Sequence, residues 1–407
     1  MDVIADMMEK GVEDKVFPGA VLLVSANSKV LFHKAFGRSD LYLNEMMTKE
    51  TIFDLASLTK PLATTMAVLK LVQDGLLSLD QKIGPVLDSA LNSSAFNFPQ
   101  PLDNTYNLMS EFTAQKSEFA GQKKNITIEQ LLRHTSGLPA YRPYYEKIVQ
   151  YPPAFRRNCL RALVIKEPLE NSPGDKQIYS DLGYILLAWI VEILSKQRMD
   201  KFLRDHVYSS LGIDDLFFIS LLDFASTDGK FRALDYGPAL LEAEFKTETN
   251  GKKFAATENC PWRKKIVKAE VHDDNAWAAG GIEGHAGLFG TASAVFVLLS
   301  ELMNGLKGEK TKVISGKLLK QFAVKNGSGD MTAGFDTPSE QVSASGRHFS
   351  SSSLGHLGFT GTSFWMDPEK SIIVILLTNR VHPSRKNNKI RWFRPLIHDL
   401  IMEKLMM

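Results

Sequence analysis

The run Ser57-Leu58-Thr59-Lys60 sets a hydroxyl and an amine three residues apart. On a helix that spacing puts both side chains on one face. A serine hydroxyl is a weak nucleophile at neutral pH and needs a base within hydrogen-bond reach. The preceding Phe53-Asp54-Leu55-Ala56 is apolar enough to bury the pair. Burial disfavours an ammonium ion and pulls a lysine below its reference pKa of about 10.4. A lysine made neutral in this way takes the serine proton. A helix start beside the serine adds backbone N–H groups and a positive dipole end, which suit the negative charge that develops in acyl transfer. The pattern alone carries little weight, because chance gives about one or two Ser-x-x-Lys runs in a chain of this length.

The elements that must hold this pair follow from hydrophobic periodicity. A helix is expected over 2–12, then a hairpin of strands 19–24 and 30–36 joined by the turn-like Ala26-Asn27-Ser28. A helix over 58–73 carries Lys60 and stops at Asp74-Gly75. Further helices are expected over 127–133, 181–206, 292–306, 315–324 and 390–405. The apolar stretch 185–194, interrupted by Glu192, reads as a buried helix too short to span a bilayer. Strands are expected over 348–353, 362–366 and, most strongly, 371–377. The stretches 91–124 and 242–268 are polar or charged and read as surface excursions that shape a pocket entrance. Strands at both chain ends with helices between them predict an α+β fold. An antiparallel sheet from both termini is flanked by helices, with a mostly helical region inserted. The expectation is one catalytic unit over 1–407, with its α/β part about 1–56 plus 286–407 and its mostly helical part about 57–285.

Composition narrows the function classes. The 407 residues are enough for a full hydrophobic core. A net charge of +2 gives no reason to expect nucleic acid or an anionic membrane as partner. The basic runs Arg263-Lys264-Lys265 and Arg385-Lys386 read as solvated faces. Cys159 and Cys260 form no C-x-x-C pair, which argues against a zinc ribbon or a thioredoxin-type site and leaves a disulfide between them open. The acidic start Met1-Asp2-Val3-Ile4-Ala5-Asp6 has no basic region ahead of an apolar one, so a cytoplasmic protein is the default, although a removed leader would leave no trace. No G-x-S-x-G elbow, H-E-x-x-H or P-loop pattern occurs.

Around the first motif, Phe53-Asp54-Leu55-Ala56-Ser57-Leu58-Thr59-Lys60-Pro61 resembles the nucleophile segment of the class C β-lactamase and penicillin-binding-protein-like serine hydrolase family. Four more segments resemble that family, in its order. They are Leu131-Leu132-Arg133-His134-Thr135-Ser136-Gly137-Leu138-Pro139, the stretch 173–184 ending Tyr179-Ser180-Asp181-Leu182-Gly183-Tyr184, the glycine-rich 280–289, and Gly355-His356-Leu357-Gly358-Phe359-Thr360-Gly361-Thr362. Ordered agreement over nearly the whole chain is far more specific than any single motif. The resemblance implies an acyl-enzyme on Ser57, with Lys60 and Tyr179 as the other catalytic residues. It implies an oxyanion hole of the Ser57 and Phe359 N–H groups, with Asp181, His356, Gly358 and His285 toward the substrate. It implies no cofactor and no metal, even though Val271-His272-Asp273-Asp274-Asn275 contains ligand-type residues. His134 is expected to be structural.

Three departures from the family pattern bear on the substrate. Asp181 stands where the Tyr-x-Asn element has an amide, and a carboxylate cannot donate to a substrate carbonyl. It can instead pair with Lys60, keep that lysine protonated and shift the base role to Tyr179. His356 and Leu357 replace the Lys and Thr of Lys-Thr-Gly, which hold a substrate carboxylate. A small neutral ester or amide is therefore the expected substrate, and an esterase or related acyl hydrolase the expected activity. A D-Ala peptidase or carboxypeptidase, or a weak β-lactamase, is the alternative. A non-catalytic binding protein on the same scaffold is the third reading, and the joint presence of Ser57, Lys60 and Tyr179 argues against it. The sequence is silent on oligomeric state.

Overall fold

In the computed structural model, residues 1–92, 122–221, 251–326, 329–339 and 343–406 are described. The N-terminal helix Asp2–Glu13 leads into β1 (Gly19–Ala26) and β2 (Lys29–Asp40), and β3 (Glu45–Met46) returns along β2. The other half of the sheet comes from the far end of the chain: β9 (Leu354–Leu357), β10 (Ser363–Asp367) and β11 (Ile372–Thr378). The order is β3-β2-β1-β11-β10-β9 and every pairing is antiparallel. This is the α+β architecture expected, with both termini meeting where β1 pairs β11 from Ala20↔Thr378 to Ala26↔Ile372.

Strand alternation divides the sheet between two cores. Ala20, Leu22, Val24, Trp365, Val374 and Leu376 pack under the N-terminal helix and the C-terminal helix Ile390–Met406. Val21, Leu23, Phe364, Met366, Ile373, Ile375 and Leu377 join the larger core, which runs on into the helices of the chain's middle. Both faces are covered, which is why β1 and β11 read as continuous apolar runs. Helix Asp181–Ser195 lies in the larger core and ends where Lys196 turns left-handed (φ +56°). The helical stretch expected over 181–206 is therefore broken there, and Met199–Leu203 starts a new helix.

Short strands set the nucleophile against the rest. β4 (Phe53–Asp54), β5 (Leu216–Phe218) and β8 (Leu288–Gly290) form a small sheet in the order β4-β8-β5. Other expectations need correction. Residues 348–353 form turns rather than a strand, because Ser350 bonds both oxygens of Asp367 and accepts from Ser353 N–H. The excursion at 91–124 lies mostly outside the described residues, as does 242–250 of the second. Its described part, 251–268, is packed: Phe254, Ala255 and Ala256 are buried, and β6 (Asn259–Cys260) pairs with β7 (Lys265–Ile266). Much of its charge is paired within the fold, although Lys264 is exposed. The Arg263 guanidinium pairs with Asp274 and lies over Trp277, and Arg385 pairs with Glu258 and Asp274. Neither arginine lies on a solvated face. Cys159 and Cys260 are buried free thiols.

Candidate active site

Strand β4 runs into a turn made by Ala56 at φ +48°, a left-handed conformation that is costly for a residue with a Cβ. Asp54 holds the turn. Its Oδ1 accepts Ala56 N–H at 2.8 Å and its Oδ2 accepts His272 N–H at 2.6 Å. Burial pushes this carboxyl's pKa up, against the pull of the two N–H groups. Thr59 locks the same turn, donating to Ala56 O (2.6 Å) and accepting Leu288 N–H (3.1 Å). Ser57 thus sits in a 3-10 turn, Ala56–Leu58, followed by a π turn, Lys60–Thr64, before regular helix begins at Thr65–Gln73. Pro61 falls in the first turn of this segment, where a missing N–H costs no intrahelical bond.

Lys60 is wholly buried and directs its ammonium at three acceptors: Asp181 Oδ1 at 2.6 Å, His285 O at 3.1 Å and Ser57 Oγ at 3.3 Å. An ammonium has three N–H bonds, so all are used. Burial works to lower its pKa, but the charge of Asp181 and the nearby Tyr179 outweigh it and hold it above the ordinary lysine value. The Lys60 nitrogen also lies 4.8 Å from the centroid of the Tyr179 ring.

Tyr179 is 39% exposed, borders the same cavity as Ser57 and sets its ring beside the Lys60 ammonium. Desolvation raises the phenol's pKa, and the neighbouring Lys60 charge pulls it down; the net shift is upward. His134 fixes this residue in place. It stands left-handed (φ +59°), its Nδ1 accepts Ser180 N–H at 2.9 Å and its carbonyl accepts Ile178 N–H at 2.8 Å. Ser180 caps helix Asp181–Ser195 through Gly183 N–H, which sets Asp181 in the first turn facing Lys60.

The opposite wall is β9 and the loop after it. His356 is buried on β9, and its Nδ1 lies 3.0 Å from Leu357 O, which assigns the proton to Nδ1. Burial, and then the Lys60 charge, lower its pKa to about 3, so the ring is neutral at working pH. A Cβ at Gly358 would come 2.0 Å from Thr362 Oγ1 and 2.7 Å from Leu55 O, so the position takes only glycine. The close approach there is to the nucleophile's own strand. Thr360 Oγ1 donates to Asp54 O (2.8 Å) and Thr362 Oγ1 to Leu55 O (3.0 Å), tying the loop that carries Phe359 N–H to the turn that carries Ser57.

His285 enters by its backbone. Its ring is buried with Nε2 2.9 Å from Asp273 Oδ1, while its carbonyl accepts from Lys60. Burial opposes both charges of this pair, yet Asp273 raises the imidazole's pKa and the imidazole depresses that of Asp273. The ligand-type run 271–275 is committed to protein partners: His272 to Glu258, Asp273 to His285, Asp274 to Arg263 and Arg385, and Asn275 to Tyr145 N–H and Arg142 O.

Ser57, Tyr179, His356, Leu357, Gly358 and Phe359 line one cavity of about 370 Å³, a size suited to a small ligand. Asp181 and His285 stand behind it as partners of Lys60. Asp336 borders the cavity, and burial raises its carboxyl pKa to about 7. A second, larger cavity of about 510 Å³ is lined by Phe17, Leu41, Met46 and His382 and includes none of these groups. Among the residues that sequence reasoning gave no role were Asp54, Thr360 and Thr362, which sit inside the recognisable runs. Asp273 was visible only as part of the ligand-type run 271–275, and its pairing with His285 had no signal.

Comparison with known proteins agrees with this architecture. The Beta-lactamase family profile matches residues 4–397, so the chain belongs to that family and is a serine hydrolase. Two curated relatives carry the name "Putative D-alanyl-D-alanine carboxypeptidase". The one from Escherichia coli is 28% identical over 392 residues, covering 91% of this chain and 80% of the relative. The one from Salmonella typhi is 27% identical over 396 residues, covering 93% and 82%. Among solved structures, the octameric penicillin-binding protein homologue from Pyrococcus abyssi aligns at a TM-score of 0.67 with 17% identity, over 99% of this chain and 78% of that one. EstCE1, a hydrolase with promiscuous acyltransferase activity, aligns at 0.64 with 17% identity over 97% and 98%. These structures share the fold.

Proposed function

We propose that this serine hydrolase is an esterase or related acyl hydrolase that forms an acyl-enzyme on Ser57 with small, uncharged ester or amide substrates. The observation that carries the proposal is the cluster around Lys60. The serine and the Tyr179 phenol line one cavity, and the buried ammonium of Lys60, paired with Asp181, stands directly behind them. Because Asp181 holds Lys60 protonated, the proton acceptor is Tyr179; the upward shift of its phenol makes the ionised form a minor species at neutral pH that grows as pH rises, and the ammonium beside it steadies that form. Ser57 Oγ attacks the acyl carbon and its proton passes to the phenolate. The N–H groups of Ser57 and Phe359 receive the carbonyl oxygen as it becomes an oxyanion. The phenol returns its proton to the leaving group. Water then attacks the acyl-enzyme by the same relay in reverse. The neutral His356 supports uncharged substrates, since it supplies no cation for a carboxylate.

A second reading, hydrolysis of D-alanyl peptides, is favoured by the names of the curated relatives and by the exposed Arg391 on the cavity rim. One panel separates the two: short-chain p-nitrophenyl esters, a chromogenic cephalosporin and a D-alanyl peptide, each with wild type and Ser57→Ala. Ester turnover lost in Ser57→Ala supports the proposal. Efficient peptide or cephalosporin turnover without ester turnover supports the second reading, and ester turnover that survives in Ser57→Ala refutes both.

A further inference from the structure

We infer that Arg394 is a positioning residue for the oxyanion hole: its guanidinium grips the carbonyl of the very peptide unit whose N–H, at Phe359, faces the oxyanion. The inference rests on the reading of Ser57 and Phe359 given above. Gly358 C=O and Phe359 N–H belong to one rigid peptide plane. Arg394 Nη2 donates to Gly358 O at 3.2 Å and to Thr362 O at 2.8 Å. It therefore holds both ends of the turn closed by Gly358 N–H to Thr362 O at 2.7 Å. A donor on the carbonyl side polarises the plane and strengthens the N–H on the other side. Arg380 acts on the next plane along, with Nε donating to Phe359 O at 2.9 Å and its guanidinium 4.7 Å from the Phe359 ring centroid.

The electrostatics give this contact a role beyond gluing a loop. Arg394 is 6% exposed, on the C-terminal helix, and no carboxylate pairs with it among the described residues. The charged group nearest in effect is Arg380, and burial with that like charge lowers the pKa of Arg394. A guanidinium nevertheless stays charged at neutral pH. The fold thus keeps an unneutralised cation in the cavity wall, where a loop could have been held by neutral donors. That charge becomes useful only when an oxyanion forms in front of the Phe359 plane, so it stabilises the transition state more than the bound ester.

The test compares wild type with Arg394→Gln, Arg394→Lys and Ser57→Ala. It measures ester kcat and KM, affinity for a boronic acid that forms a tetrahedral adduct, and thermal unfolding. Deleting an oxyanion donor outright costs about a hundred- to thousandfold in kcat; weakening one should cost about ten- to a hundredfold in Arg394→Gln, with KM changed less than about twofold. Boronate affinity should fall by a similar factor. Arg394→Lys, which keeps the charge, should recover at least about a third of the lost logarithm of kcat. A folded Arg394→Gln with wild-type kcat and boronate affinity overturns the inference. If that variant does not fold, Arg394→Lys decides: parallel losses of kcat and boronate affinity support it, and a kcat loss at unchanged boronate affinity overturns it. Activity surviving in Ser57→Ala would instead overturn the underlying nucleophile assignment.

Discussion

Replacing Asp181 by asparagine should move the acid limb of the pH–rate profile to lower pH. Asp181 Oδ1 lies 2.6 Å from Lys60 Nζ, with Lys60 wholly buried and Asp181 mostly so. Two unit charges at that separation attract by about 6 kcal/mol at an effective dielectric of about 20. At about 1.36 kcal/mol per unit, that corresponds to roughly four pKa units on the cluster. The amide still accepts a hydrogen bond from Lys60, so we expect a shift of at least about two units. The sign follows from the charges. Asp181 favours the protonated forms of both Lys60 and Tyr179. Removing its charge lets the cluster lose the serine's future proton at lower pH. The limb belongs to the coupled cluster and to no single residue. The assay is kcat/KM for a p-nitrophenyl ester from about pH 5 to pH 10. Unfolding supplies a second readout. Asp181→Asn leaves a buried ammonium without its partner, a loss of about 3–5 kcal/mol that should shrink as rising pH lets Lys60 become neutral. A folded Asp181→Asn whose acid limb lies within about half a unit of wild type would refute the reasoning.

Other outcomes follow from the same geometry. Gly358→Ala should lower kcat about a hundredfold and lower Tm, because its Cβ meets Thr362 Oγ1 at 2.0 Å; steady-state kinetics and thermal melts check both. His356→Lys should raise turnover of carboxylate-bearing substrates relative to neutral esters by about tenfold, read as a ratio of kcat/KM values. In wild type His356 itself should add no limb to the ester profile above about pH 5. Asp273→Asn removes the anion paired with His285. The depressed Asp273 pKa contributes stability above its unfolded value of about 3.9, and the raised His285 pKa contributes it below about 6.5. The Tm deficit of Asp273→Asn should therefore be greatest in that window and decline as pH rises through the folded His285 pKa.

What the sequence made legible depended on how local the cause was. The terminal strands could be read because burial on both faces leaves unbroken apolar runs such as 20–24 and 372–377. The pairing of β1 with β11 joins residues some 350 positions apart and was inferred only from strands lying at both ends. Residues 348–353 misled because serine side chains compete for backbone bonds, and the partner that wins here, Asp367, is fixed by the fold. Lys60, Tyr179 and Asp181 stand in short runs whose order is recognisable, so their candidacy was visible. His285 was visible as a side chain, yet the structure turns its ring to Asp273 and offers Lys60 its carbonyl, a group every residue has. Asp54, Thr360 and Thr362 act through main-chain contacts of the same kind. In the basic runs at 263–265 and 385–386, Lys264 and Lys386 are exposed as expected, whereas Arg263 and Arg385 looked solvated because their partners Glu258 and Asp274 are acids brought in by tertiary folding.

The acyl-enzyme itself is the most direct test. Wild type incubated with a fluorophosphonate ester, which Ser57 Oγ attacks at phosphorus with loss of fluoride, should gain the mass of one phosphonyl group. Peptide mapping should place that mass on Ser57, and Ser57→Ala should gain none. A stoichiometric adduct on another residue, or an unchanged adduct in Ser57→Ala, would contradict the account.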